Sequence, residues 1–421
     1  MINHRSFFYR YRVLILIYFF TLITYLDRTS ISLVGVRIKH AFNLNNEQFG
    51  WVLGSFALAY ALFEIPSGML GDRIGQRAVF IRIVLWWSLF TAMTGLATGL
   101  YSLVFVRFLF GIGESGAYPT CSAVISRWFP AKEIARSTSV LTLGSTTGAA
   151  LAPLIVIPIA AAFGWRATFF VNGTIGIFWV VICWVWFRNF PSEMRNISKS
   201  ELILIENNRR FKYQQHRLPW TSLFKNPTIW TLSAMFFCSQ CINYFFLAWM
   251  PVYLQEERHF SEGEMKLITS TVFIGGLLGA LASGFISDWL VAKKGLRFGR
   301  CLVGSVSFAF MSALILITAF TANNHIVIAC LIVTHFFYLP SVISSFATCV
   351  DLGRENTGTI TGIMNFFGQL GSFSLAVYFG RMAQISHGFK MPLIALSLIL
   401  LVGGILWLFI NPAVSLHGDP S

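Results

Sequence analysis

Four ionisable side chains fall inside stretches otherwise apolar enough to be embedded in lipid. Asp27 and Arg28 are adjacent in one stretch, and Arg107 and Glu114 lie seven residues apart in another. Each such group costs at least ~2.5–3.5 kcal/mol at a bilayer centre on the mildest scale, so ionisable residues there are functional candidates. Arginine's planar fork grips a carboxylate through two parallel bonds without losing its charge, which makes Arg28 the first candidate to hold an anion. Asp27 and Glu114 accept hydrogen bonds when ionised and can take up a proton, so they are the candidates for coupling a proton. Arg107 and Glu114 share one helical face but are ~10.5 Å apart along its axis, too far to pair. Arg107 therefore either pairs across a bundle with Asp27 or meets the anion itself. The plainer alternative for all four is a buried ion network that only fastens helices.

The elements that must position these groups are membrane spans. Of 421 residues, 56% are hydrophobic and only 11% charged, which excludes an ordinary soluble domain. Apolar runs long enough to cross a bilayer recur at roughly 11–36, 48–70, 78–98, 100–125, 137–163 and 166–187. They resume at roughly 227–254, 264–288, 301–321, 325–349, 357–380 and 390–411. The fold expected is an all-α membrane protein of twelve transmembrane helices in two six-helix bundles. The first run passes from Val13 into Asp27 and Arg28 with no small-residue cleavage site, so it reads as a retained helix.

A net charge of +14 suggests nucleic acid until the basic residues are placed on this topology. With both termini inside, 22 of the 31 Lys and Arg fall on the cytoplasmic side, 7 outside, and Arg28 and Arg107 in the membrane. The charge reports orientation, and no nucleic-acid partner is expected. The connection after the seventh span is acidic, with Glu256, Glu257, Glu262 and Glu264. Seven cysteines, all in spans, exclude a disulfide framework, and the Cys238-x-x-Cys241 spacing in a membrane helix does not suggest a metal. The sequons at Asn172 and Asn196 fall in a span and in a cytoplasmic loop, so they do not mark glycosylation.

The one long polar segment divides the chain. Residues 1–188 are expected to form one bundle, 189–226 a cytoplasmic linker and 227–421 a second bundle. Within the linker, Ser198-Lys199-Ser200-Glu201 has capping-box spacing ahead of Leu202 to Ile205, which predicts a short amphipathic helix on the membrane or bundle surface. Gly68-Met69-Leu70-Gly71-Asp72 and Gly284-Phe285-Ile286-Ser287-Asp288 close the second and eighth spans, 216 residues apart. That offset fits two halves related by duplication around a central cavity.

The segment Gly68-x-Leu70-Gly71-Asp72-Arg73-x-Gly75-x-Arg77 suits a tight cytoplasmic turn whose charges hold a closed state, making Asp72, Arg73, Arg77 and Asp288 gate candidates. It resembles the signature loop of the major facilitator superfamily, and Arg107-x-x-x-Gly111-x-Gly113-Glu114 resembles that superfamily's fourth-helix motif. A narrower likeness rests on Tyr25-Leu26-Asp27-Arg28-Thr29-Ser30-Ile31-Ser32, Gly113-Glu114-Ser115-Gly116-Ala117-Tyr118-Pro119, and Tyr244 through Trp249-x-Pro251-x-Tyr253-Leu254. These look like the anion:cation symporter branch, with its sugar-acid transporters, phthalate permeases and sialin-like carriers. The resemblance implies the same roles for Arg28, Arg107, Asp27 and Glu114 as the chemistry does.

Further residues fill in the expected cavity. Tyr60 falls where relatives place a substrate-contacting tyrosine, or it only packs. Ser145 stands where some sugar-acid transporters carry a larger polar group. The seventh span has no Lys or Arg, and its Gln240, Asn243 and Tyr244 suit hydroxyls better than a second carboxylate. Asn365 and Gln369, at i and i+4 in the eleventh span, either complete the cavity or bond between helices. Glu64 is assigned to the gate, and His335 is read as a bonded core histidine. No G-x-x-x-x-G-K-[ST] loop is present, which excludes a primary pump on sequence.

The expectation is a secondary transporter and not an enzyme, monomeric, multi-pass in a bacterial inner membrane with both termini cytoplasmic. It imports a small organic anion, a sugar acid such as a hexonate or hexuronate, with protons by alternating access and without a cofactor. An anion exchanger, a carboxylate exporter and a non-transporting sensor are the alternatives.

Overall fold

A computed structural model describes residues 9–195, 197–207, 226–353 and 357–411, leaving aside the side chains at 68, 69, 71–73, 131, 135, 284–288, 292 and 296. Among the described residues, twelve helices are long and apolar enough to cross a membrane. Lipid offers no hydrogen bonds, so a spanning segment must satisfy its own backbone, and a helix does this within one segment. The spans run Tyr9–Leu33, Asn46–Ser67, Gln76–Gly95, Leu100–Trp128, Arg136–Phe163 and Trp165–Trp186 in the first half. In the second they run Pro227–Glu256, Glu262–Ser283, Arg297–Phe320, Asn324–Gly353, Thr357–Ile385 and Lys390–Phe409.

The duplication is written in the caps as well as in the turn motif. The second-span helix, Asn46–Ile74, begins with a capping box of Asn45 and Gln48, and the eighth-span helix, Glu262–Lys294, with one of Ser261 and Glu264. Those caps lie the same 216 residues apart as the turn motifs. The first helix has 29 residues and the second 33, one turn longer, and both stop at a glycine with positive φ, Gly75 at 85° and Gly295 at 84°.

Within the first half, span 1 packs on span 5 and span 2 on span 4; between halves, span 2 lies against span 11 and span 5 against span 8. Small residues let these backbones approach. A Cβ on Gly50 would sit 2.6 Å from the Ala376 carbonyl across the seam, so only glycine closes spans 2 and 11 there.

Three features depart from straight spans. The first span ends at Leu33, and a separate helix, Gly35–Phe42, follows it on the face opposite the termini. The fourth span is interrupted between Glu114 and Ala117. The seventh carries a π-helical turn, Phe245–Trp249, between Pro227–Tyr244 and Met250–Glu256.

The linker helix forms as Lys199–Asn207 with Ser198 accepting from the Glu201 amide at 3.1 Å. It docks on the first bundle. Ile205 is buried, and Glu201 accepts from the Arg10 amide at 3.2 Å while Arg10 Nε meets Glu133 at 3.0 Å. The sequon residue Asn196, the basic linker residues from Arg209 to Lys225, and Arg354 and Glu355 of the turn after span 10 lie outside the described residues.

Candidate substrate-binding site

Spans 1, 2 and 4 gather the buried charges. Proline has no N–H, so Pro119 cannot bond the Ser115 carbonyl, and the fourth span breaks just after Glu114. Glu114 is fully buried at that break and its Oε1 accepts the Nε hydrogen of Arg28. Aromatic rings box the Arg28 guanidinium, whose Cζ lies 5.1 Å from Tyr25, 5.1 Å from Phe56 and 4.8 Å from Tyr60. Arg28 Nη2 and Glu114 Oε2 are buried without hydrogen-bond partners among the described residues. The pair is thus joined by one bond where a fork could make two, leaving a donor and an acceptor for a ligand or a proton.

Arg107 forms no ion pair among the described residues. Its guanidinium rests over Phe110 at 4.5 Å and Phe56 at 5.2 Å, and its Nε has no hydrogen-bond partner among the described residues. Asp27 is 2% exposed, and neither of its carboxylate oxygens meets a hydrogen-bond donor within bonding geometry among the described residues. The cross-bundle pairing of Arg107 with Asp27 that the sequence left open is therefore not formed; the ion pair present is Arg28 with Glu114.

The two halves enclose a narrow cavity beside these groups. Arg28, Phe56 and Arg107 wall it on one side, and Gln240, Asn243, Tyr244, Gln369 and Ser372 on the other. Its volume of about 20 Å³ admits about one water, so a larger solute enters only when the halves part. Gln240 Oε1 accepts from Tyr338 Oη at 3.0 Å, and Tyr244 Oη donates across the seam to the Leu53 carbonyl at 2.6 Å. The π turn starts immediately after Tyr244, where a widened helix re-aims the side chains that follow.

The remaining candidates separate by position. Tyr60 belongs to the box around Arg28. Ser145 shares a hydrogen bond with Tyr118 Oη at 2.7 Å, and Tyr118 donates to Tyr25 Oη at 3.4 Å, so Ser145 reaches Arg28 through two tyrosines. Gln369 stands in the cavity wall. Asn365 does not: its amide donates to Glu64 Oε1, joining spans 11 and 2. His335 is a buried core side chain between the edges of Phe246 at 4.7 Å and Phe273 at 4.9 Å.

Of the gate candidates, the side chains of Asp72, Arg73 and Asp288 lie outside the described residues. Arg77 is fastened within the first half, its amide donating to Asn189 Oδ1 at 2.8 Å and its guanidinium to the Trp184 carbonyl. Further polar ties between halves lie on the face opposite the termini. Arg37 grips Glu262 with two 2.7 Å bonds and donates a third to the Ala160 carbonyl at 2.7 Å. Lys39 meets Glu256 and Asn46 Oδ1, Ser32 Oγ donates to the Ala248 carbonyl at 2.7 Å, and Asn46 N donates to Gln384 Oε1 at 3.2 Å.

Sequence reasoning missed this latch, Phe56 and Ser372. The latch left a signal, because Arg37 and Lys39 follow span 1 on the face where the acidic connection follows span 7. Phe56 and Ser372 left none: aromatic and hydroxyl residues are common in spans, and only helix rotation shows which face the cavity.

Twelve spans in two bundles, with a charged cluster at a cavity between them, have the layout of a membrane carrier. The chain belongs to the Major Facilitator Superfamily, whose family pattern matches residues 17–376. It is 30% identical to the probable sulfoacetate transporter SauU of Cupriavidus necator, over 96% of this chain and 93% of that one. It is likewise 30% identical to the D-galactonate transporter of Escherichia coli, over 95% of each chain. Identity to the hexuronate transporter of Bacillus subtilis is 31%, over 84% of this chain and 83% of that one. In fold it is similar to a bacterial homolog of the human lysosomal transporter Spinster, inward-facing and occupied. That likeness has a TM-score of 0.76 at 19% identity, covering 96% of this chain and 97% of that one.

Proposed function

We propose that this protein imports a small organic anion, a sugar acid of the hexonate or hexuronate kind, together with protons by alternating access. The single observation that carries the reading is the ion pair of Arg28 with Glu114 at the edge of the cavity, beside Arg107, which has no acidic partner among the described residues. An ionised Glu114 holds the Arg28 Nε. A proton on Glu114 cancels its charge and frees the guanidinium for a carboxylate, so proton and anion enter as a unit. Asp27, buried in the same cluster, is a second seat for a proton. Relatives named for sugar acids support the substrate class.

The orientation follows the basic residues. The face bearing the termini and linker carries most of the Lys and Arg, so we assign it to the cytoplasm of a bacterial inner membrane. The Arg37–Glu262 latch then closes the outer face, while Asp72, Arg73 and Asp288 act at the inner one. The protein works as a monomer, driven by the proton gradient.

A thermal-shift screen on the purified protein tests the substrate class, since a ligand of the folded state stabilises it by RT ln(1 + [L]/Kd). Hexonates or hexuronates are expected to raise Tm, and neutral hexoses and aromatic acids to leave it unchanged. A shift confined to aromatic acids would contradict the sugar-acid reading.

A further inference from the structure

The cations in the cavity wall, Arg28 and Arg107, both come from the N-terminal half. The facing wall of Gln240, Asn243, Tyr244, Gln369 and Ser372 is polar but uncharged. We propose that this asymmetry makes the carrier select anions whose acid groups lie at one end of the molecule, and discriminate against chains with an acid at both ends. The inference rests on the sugar-acid reading and adds to it which sugar acids fit.

The argument is one of matching groups. An anionic head can be met by the free Nη2 of Arg28 and by Arg107, which has no acidic partner among the described residues. A hydroxylated tail then faces the other wall, where hydroxyls both donate and accept. Tyr244 already gives its hydrogen to the Leu53 carbonyl, so its oxygen can only accept; a hydroxyl satisfies it and a carboxylate does not. Gln240 has its oxygen committed to Tyr338, leaving NH donors without a positive charge behind them. A second carboxylate there would lose its water and find no countercharge, which is unfavourable in a closed site. A two-carbon dianion such as sulfoacetate escapes the restriction, because both acids stay at the arginine end.

Galactonate and galactarate provide the test, since they share a six-carbon hydroxylated chain and differ only in whether the far end is an alcohol or a carboxylate. Binding of each to the purified wild-type carrier is measured by isothermal titration at pH 7. Galactarate is expected to bind at least ten times more weakly, a difference of about 1.4 kcal/mol. Asn243→Lys, which puts a cation on the neutral wall, is expected to bring galactarate to within about threefold of galactonate. Equal binding of the two acids to the wild type overturns the inference while leaving the sugar-acid reading intact. So does an Asn243→Lys protein that binds galactonate but gains nothing for galactarate. Failure of every hexonate and hexuronate to bind overturns the underlying reading, and this inference with it.

Discussion

Glu114 takes its partner from another helix, and that choice defines how the site can respond to a proton. Glu114→Gln keeps size and hydrogen bonding but removes the titration, so Arg28 is left permanently unpaired in charge. Accumulation driven by a pH gradient is expected to fall at least about tenfold, while counterflow at equal pH survives; retained accumulation would remove Glu114 from the coupling role. Arg28→Lys keeps the charge and loses both the fork and its flat stacking among Tyr25, Phe56 and Tyr60. Affinity for the anion is expected to drop about tenfold in Arg28→Lys and further in Arg28→Ala, read by titration calorimetry. Wild-type affinity in both would leave only a helix-fastening role. At this scale the sequence disclosed the charged residues, because an ionisable group in lipid is conspicuous, but not their pairing. Arg28 meets Glu114 because the fold packs span 1 beside the break in span 4, and which faces of two helices meet is not encoded in spacing along either one.

The elements sort into those that hold the site and those that open it. The Gly35–Phe42 helix carries Arg37 and Lys39 to the acidic residues around spans 7 and 8, so it closes one face without touching the cavity. Exposed pairs of this kind contribute ~0.2–1 kcal/mol, and Arg37 and Glu262 are each about one-third exposed, so the expected effect is modest. Arg37→Ala should increase, by up to about fivefold, the labelling of Ser372→Cys by an impermeant thiol reagent from that face. The doubly reversed pair, Arg37→Glu with Glu262→Arg, should restore it. The seven native cysteines are buried, which keeps the background low. Unchanged labelling in Arg37→Ala would make the latch incidental. Hydropathy disclosed all twelve spans, and the 216-residue offset disclosed the duplication. It did not disclose the π turn in span 7 or the separate helix after span 1, because both continue an apolar or helical pattern and differ only in which carbonyl each amide reaches.

For the whole molecule, duplication supplies two similar bundles and divergence makes them unequal. Buried charge is concentrated in spans 1, 2 and 4, whereas the C-terminal wall of the cavity is neutral. On the proposed function, a proton taken up by the charged half changes what that half binds, and closure over the substrate engages the neutral half. Transport should therefore need both ions, with the cavity, too small in this arrangement for more than about one water, opening by movement of one bundle against the other. The most direct measurement is uptake of labelled galactonate by proteoliposomes of the purified protein, with and without an acid-outside pH gradient. The predicted result is accumulation above the external concentration that needs the gradient and is abolished by a protonophore, while counterflow persists. Uptake indifferent to the gradient but driven by a preloaded anion would contradict the account and establish an exchanger instead.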